Sequence, residues 1–208
     1  MNIYLIRHGR QNSQLCNVDV ELAREGRRQA ELLGKRLETY KIDGLYSSHL
    51  VRASQTAEII NKYIYQEHII RENIREISFG EMEGKSNDYI YENYAEFKKI
   101  QMKHEEDIPY PGGECGRDVY ARAIDVIYEI IHSDKESVAV VTHGGVIRAL
   151  MAGLLGIDMS KKLLFGQSLE NTSITQFYYN REENRFYLQR FNDYAHLEGD
   201  SDLIRENW

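Results

Sequence analysis

Ser137-Val138-Ala139-Val140-Val141-Thr142-His143-Gly144-Gly145 decides how this chain is read. From Ser137 to Thr142 the residues are apolar or β-branched without alternation, the mark of a strand covered on both faces of its sheet. The run stops at an imidazole and two glycines, and Val146 to Leu155 continues with a helical pattern. Strand, glycine turn and helix in that order form part of a βαβ unit. A second stretch near the start repeats the form: Ile3, Leu5 and Ile6 lead straight into Arg7-His8-Gly9. In open parallel sheets, ligands bind beyond the carboxyl ends of the strands where strand order reverses. If the two strands are neighbours, His8 and His143 converge on one point.

The intervening sequence supplies the crossovers. Residues 21–40 read as a helix with Leu22, Ala30, Leu33 and Leu37 on one face, and a helix starting within 10–20 is expected to aim its amino end at the crevice. Ile42 to Ser47 reads as a short strand, 51–64 as a helix, and 114–132 as the clearest helix, with Val119, Ala123, Val126, Ile127, Ile130 and Ile131 in phase. The tail reads as strands over 172–179 and 185–192 around a polar turn. The expected fold is α/β: one domain over 1–208, a three-layer sandwich with a mostly parallel central sheet and helices on both faces. Residues 84–112, polar and tyrosine-rich and closed by Pro109 and Pro111-Gly112-Gly113, read as a helical and loop insertion over the site.

Composition narrows the function classes. A net charge of −7 argues against a nucleic-acid or anionic-membrane binder, so an anionic substrate needs a local basic pocket. No apolar run approaches the length of a membrane span, and the first strand begins at Asn2, leaving no room for a leader. Cys16 and Cys115 are isolated thiols without metal-type spacing. A cytoplasmic location is expected. So is a monomer or a homodimer, the latter suggested by the acidic body and Trp208.

Guanidinium and imidazole at strand ends suit a phosphoryl group. Arginine grips phosphate oxygens with a rigid fork of donors, and imidazole serves as nucleophile or base near neutral pH. A lone histidine in such a place is more often a core or surface residue. Two at matching strand ends, one preceded by arginine, weigh against that. A zinc site is the third reading, disfavoured because no compact set of histidine, cysteine and carboxylate ligands accompanies them; neither metal nor cofactor is expected.

Four motifs, in order, resemble those of the histidine phosphatase superfamily, which includes the cofactor-dependent phosphoglycerate mutases and many metabolite phosphatases. Arg7-His8-Gly9 resembles the defining triplet, which implies that His8 is the nucleophile that accepts the phosphoryl group. Ser47-Ser48-His49-Leu50-Val51-Arg52-Ala53-Ser54-Gln55-Thr56-Ala57 is similar to the second motif and implies that Arg52 binds phosphate. Arg75-Glu76-Ile77-Ser78-Phe79-Gly80-Glu81-Met82-Glu83-Gly84 resembles the segment that supplies the general acid and implies that role for Glu76, with Glu81 and Glu83 as competing carboxylates. Thr142-His143-Gly144-Gly145 carries the second histidine. The resemblance implies catalytic roles for His8, Glu76, His143, Arg7 and Arg52, and substrate contacts from Arg7, Gly9, Gln14, Arg52, His143 and Gly144.

Several positions depart from the family pattern. Where relatives commonly carry a glutamate and then a phosphate-contacting asparagine, this chain has Arg10 and Gln14, with Asn12 and Asn17 as alternative amides. Arg10 adds positive charge at the mouth, which suits a substrate with a second anionic group. His49 replaces a common proline. Leu22-Ala23-Arg24-Glu25-Gly26-Arg27-Arg28-Gln29-Ala30 resembles the family's first helix start with Ala23 in place of a capping threonine, a loss of about 1 kcal/mol. The insertion holds Lys85, Lys98, Lys99 and Lys103 but lacks the paired arginines of the mutases. The expected activity is therefore metal-independent hydrolysis of a small phosphorylated metabolite through a phosphohistidine, a histidine acid-type phosphatase. The alternatives are a cofactor-dependent phosphoglycerate mutase and, further off, a non-catalytic protein that binds a phospho-ligand.

Overall fold

Alternating apolar residues in Asn2–Arg7 (β1) serve two cores at once. Ile3 and Leu5 pack into one, with Val138, Val140 and the apolar faces of the helices Gly116–Ile131 (α5) and Gly144–Leu154 (α6). Tyr4 and Ile6 pack into the other, with Leu33 and Leu37 of Arg24–Leu37 (α1) and Ala53, Ala57 and Ile60 of Val51–Ile64 (α2). The period-two pleat thus divides one strand between both helical layers, which is what makes the fold a three-layer α/β sandwich. This computed structural model describes residues 1–205; Trp208 lies outside the described residues.

The remaining strands are Gly44–Ser47 (β2), His68–Ile70 (β3), Ser137–Thr142 (β4), Ile174–Asn180 (β5) and Arg185–Asp193 (β6). The sheet order is β3-β2-β4-β1-β5-β6. β4 runs parallel to both β1 and β2, and β2 parallel to β3, while β5 and β6 add an antiparallel hairpin at one edge. The β1–β4 register sets Arg7 beside Thr142, so the next residues, His8 and His143, leave the sheet at the same level. This is also where strand order reverses, because the chain passes from β1 to β2 and β3 before β4 returns between β2 and β1.

Two local readings are corrected. Residues 10–20 form no helix. Their backbone groups are taken by strand-like and side-chain partners: Asn12 N–H donates to Glu21 O at 2.8 Å, Ala23 N–H to Arg10 O at 2.9 Å, and Arg10 N–H to Gln29 Oε1 at 2.8 Å. The first helix begins only at Arg24, after an Ala23 whose side chain makes no capping bond. Second, β3 is an addition. Its three residues are too few to show alternation in the sequence.

The segment over the site contains two short helices, Asn87–Asn93 (α3) and Ala95–Gln101 (α4). Beneath them the buried Tyr110 ring lies 4.7 Å from Phe79 and 5.4 Å from Phe97, whereas Tyr91 is 79% exposed. The aromatic character is thus divided between an anchor and the surface. Among the described residues no helix is long and apolar enough to cross a membrane.

Candidate active site

Arg7-His8-Gly9 can leave β1 as it does because glycines meet backbone to backbone. A Cβ on Gly9 would lie 2.5 Å from the carbonyl oxygen of Gly26, and one on Gly26 would lie 2.1 Å from that of Arg10. Gly9 N–H donates to Thr56 Oγ1 at 3.0 Å, and Thr56 Oγ1 donates to Arg52 O at 2.7 Å. The first and second motifs are therefore bonded to each other before any ligand is considered. Asn171 Nδ2 holds His8 O at 2.8 Å, and Arg205 in turn donates to Asn171 Oδ1 from Nε at 3.0 Å and from its terminal nitrogen at 2.7 Å.

His8 and His143 are buried, with ring centroids 5.0 Å apart and planes tilted by 55°. Burial pushes both imidazoles well below the ordinary histidine range; next in effect are Arg52 and then Arg7 for His8, and His8 and then Arg52 for His143. Both rings are neutral at physiological pH. Neither ring nitrogen of His143 has a hydrogen-bond partner among the described residues, and the side chain is fully buried behind the cleft wall rather than on it.

Arg52, only 2% exposed, lies against His8. Its Nε donates to His8 Nε2 at 3.3 Å, and its two terminal nitrogens donate to Val18 O at 3.0 Å and Asn17 Oδ1 at 2.8 Å. Asn17 also reaches Glu83 Oε1 at 3.1 Å, which gives that carboxylate a structural task; Glu83 further accepts from Phe79 N–H at 2.9 Å. Arg7 is fixed by the carbonyl of Leu169, and its Nε is buried without a protein partner. Burial, and then the neighbouring Arg205, pull its guanidinium down to about 9. It remains a cation at neutral pH, desolvated and set to gain from an anion.

Glu76 stands across the site. Its Oε1 accepts from Ile77 N–H at 2.9 Å and from Gly145 N–H at 3.0 Å, so the amino end of α6 holds the carboxyl. A Cβ on Gly145 would lie 2.5 Å from the same oxygen, which explains the glycine. The cleft, about 730 Å³, is lined by Arg7, His8, Arg52, Glu76, Gln14 and Asn17, with Arg10 and Arg205 also on its wall. A smaller chamber of about 200 Å³ adjoins at Arg7 and Glu76 and includes Gly144, Tyr110 and Arg148. Glu81 and Asn12 are exposed and line neither space. Gly9 serves through its backbone bond to Thr56. Among the described residues no group of three or more histidine, cysteine or carboxylate side chains could hold a metal ion.

Sequence reading passed over Gln29 and Arg205 as site supports. Gln29 is fully buried and bonds Arg10 N–H, with its Nε2 donating to Leu203 O at 2.7 Å. A glutamine within a helical run is a weak signal; its place within the resembling first-helix motif is the only clue the sequence offers. Arg205 is some two hundred positions from His8 in sequence, and nothing local marks it.

Comparison with known proteins agrees with this arrangement. Residues 3–194 match the Histidine phosphatase superfamily (branch 1). Phosphoserine phosphatase 1 of Hydrogenobacter thermophilus is 30% identical over 181 residues, covering 86% of this chain and 84% of its own length. Phosphoglycerate mutase-like protein 4 of Arabidopsis thaliana is 31% identical over 205 residues, covering 94% and 86%. A mycobacterial glucosyl-3-phosphoglycerate phosphatase, solved with inorganic phosphate, superposes with a TM-score of 0.84 at 27% identity, covering 94% of this chain and 98% of its own. The paired histidines at adjacent strand ends, the bonded first and second motifs and a match spanning nearly the whole chain lead to one conclusion: the protein belongs to the histidine phosphatase superfamily.

Proposed function

We propose that this protein is a metal-independent phosphomonoesterase that hydrolyses a small phosphorylated metabolite in the cytoplasm through a phosphohistidine at His8. The single observation that carries the reading is the His8 ring on the cleft wall, whose Nε2 accepts from Arg52 Nε–H while Nδ1 bonds Gly9 O. The Nε2 atom attacks phosphorus in line, the ester P–O bond breaks, and Glu76 gives its proton to the departing oxygen. Water then attacks the phosphohistidine, Glu76 takes a proton from it, and inorganic phosphate leaves with His8 restored. Arg7, Arg52 and His143 stabilise the charge spread over the equatorial oxygens. Arg52 exchanges its bond to Nε2 for one to a phosphate oxygen when substrate enters.

Hydrolysis rather than mutase chemistry is supported by the rim. A mutase keeps water from its phosphoenzyme. Here Gln14 and Leu15 are exposed on the cleft wall, beside polar Gln11 and Ser13. Residues 84–112 contribute Asn87 to the cleft and Tyr110 to the chamber, which supports a role in choosing the leaving group. The phosphatase-named relatives agree with the same reaction class. The test is release of phosphate from p-nitrophenyl phosphate with a chelator present. Turnover by the native chain and none by a folded His8→Ala variant is expected. Isomerisation of a phosphoglycerate faster than its hydrolysis, dependent on a bisphosphate primer, would establish the mutase instead.

A further inference from the structure

Glu114 and Arg122 line neither the cleft nor the chamber, yet they form a two-bond ion pair: Arg122 Nε donates to Glu114 Oε1 at 2.8 Å and a terminal nitrogen to Oε2 at 2.9 Å. The pair is largely buried, with the Arg122 side chain 13% and the Glu114 side chain 17% exposed. What it holds is the main chain around Glu76. Arg122 donates to the carbonyl oxygens of Asn73 at 2.7 Å, Arg75 at 2.9 Å and Glu76 at 3.1 Å. Glu114 accepts Ser78 N–H at 2.8 Å and an Arg75 terminal nitrogen at 3.2 Å, and its own N–H donates to Ser78 O at 3.0 Å.

Outside this pair the segment is held by scattered bonds, among them Thr142 Oγ1 to Ile74 O at 2.7 Å and Phe79 N–H to Glu83 Oε1 at 2.9 Å. Between β3 and α3 the chain forms only the single 3₁₀ turns Glu72–Ile74 and Gly80–Met82, so its carbonyls have no ladder or helix to satisfy them. A guanidinium with donors in a fixed plane can take three carbonyls and a carboxylate together, which lysine cannot. Glu76 is thereby held from two sides: its backbone by Arg122 and Glu114, its carboxyl by Gly145 N–H. From this juxtaposition we infer that Glu114 and Arg122 are positioning residues for the proton transfer at Glu76. The inference rests on the phosphatase reading above and on Glu76 as its acid.

A positioning role predicts a signature that general weakening does not. A good leaving group departs without a proton, so its ester is insensitive to a misplaced acid; a poor one is sensitive. The comparison uses kcat/KM, which reports only steps through formation of the phosphoenzyme, for p-nitrophenyl phosphate and phenyl phosphate. For Arg122→Ala, about a 30-fold or greater loss is expected with phenyl phosphate and less than about threefold with p-nitrophenyl phosphate. Inhibition by inorganic phosphate should be unchanged. Glu114→Gln should show the same pattern more weakly, and Glu76→Gln the same pattern more strongly. Adding Arg122→Ala to Glu76→Gln should widen the difference no further, because both changes act on one step.

Equal loss with both esters, or weaker phosphate inhibition in parallel with the rate, would overturn the positioning role. So would native rates in every Glu114 and Arg122 variant. If Arg122→Ala does not melt as a folded protein, Arg122→Lys carries the same comparison, since it keeps the cation and loses the fork. The two layers fail separately. A native chain that hydrolyses neither ester removes the phosphatase reading, and a Glu76→Gln variant without leaving-group dependence removes Glu76 as the acid. A normal result for both with uniform loss in Arg122→Ala removes only the clamp.

Discussion

His8 Nδ1 lies 2.7 Å from the carbonyl oxygen of its own neighbour, Gly9. A carbonyl only accepts, so Nδ1 carries the proton and Nε2 keeps its lone pair. Arg52 Nε–H, 3.3 Å from Nε2, agrees with that tautomer and opposes a second proton on the ring. The ring is therefore held in this state by one backbone contact and one cation.

The first prediction concerns acid. Burial holds His8 and His143 well below 6.5, so in the folded state they stay neutral where the unfolded chain takes up protons. The unfolded state then binds more protons, and stability, fully present above about pH 6.5, falls as pH is lowered. Each such histidine contributes on the order of 1 kcal/mol to the stability difference between about pH 7.5 and about pH 5.5. Urea unfolding of His8→Asn should show that difference reduced by about this amount. An unchanged difference would mean that His8 titrates normally in the fold.

Arg52 supplies the second. Its fork touches Nε2 of His8, Val18 O and Asn17 Oδ1 together, and a lysine can reproduce only part of that. Arg52→Lys should lower kcat/KM for an aryl phosphate by about 100-fold or more, the scale of losing a preorganised donor to the developing charge. Asn17→Ala should lower it less, by about tenfold, by freeing one arm of the fork. Equal rates for Arg52→Lys and the native chain would remove the arginine from the transition state.

Gly26 tests the support beneath His8 and Gly9. A methyl there meets the Arg10 carbonyl oxygen at 2.1 Å, and neither partner is a flexible side chain. Gly26→Ala should destabilise the fold by about 1–3 kcal/mol despite alanine's better helix propensity, and should lower activity by moving Gly9 and Arg10. Denaturant midpoints and initial rates check it. A more stable variant would show that the close approach is relieved at no cost.

Much of this was open to reading in the sequence because the determining signals are local. The unbroken Ser137–Thr142 run, the doubly patterned β1 and the in-phase apolar face of α5 each announce their element within a few residues. His8 and His143 were legible as a pair because both follow buried strands directly. What stayed hidden depends on contacts across distance. Arg122 and Glu114 look like an ordinary helix-face arginine and a loop glutamate until the Glu76 segment lies against them. Arg205 comes to the cleft wall, bonded to Asn171, from the far end of the described chain. The helix start misplaced within 10–20 has the same cause, since Gln29 and Glu21 take the segment's backbone donors from outside it.

The most direct test of the account is to trap the phosphoenzyme. The native chain is mixed with p-nitrophenyl phosphate, quenched in alkali within the first turnover to preserve acid-labile phosphohistidine, and mapped by peptide mass. The account predicts one phosphate per chain on His8, formed with chelator present and absent from the His8→Ala variant. Phosphate on another residue, or rapid turnover of a folded enzyme through no trapped intermediate on His8, would contradict it.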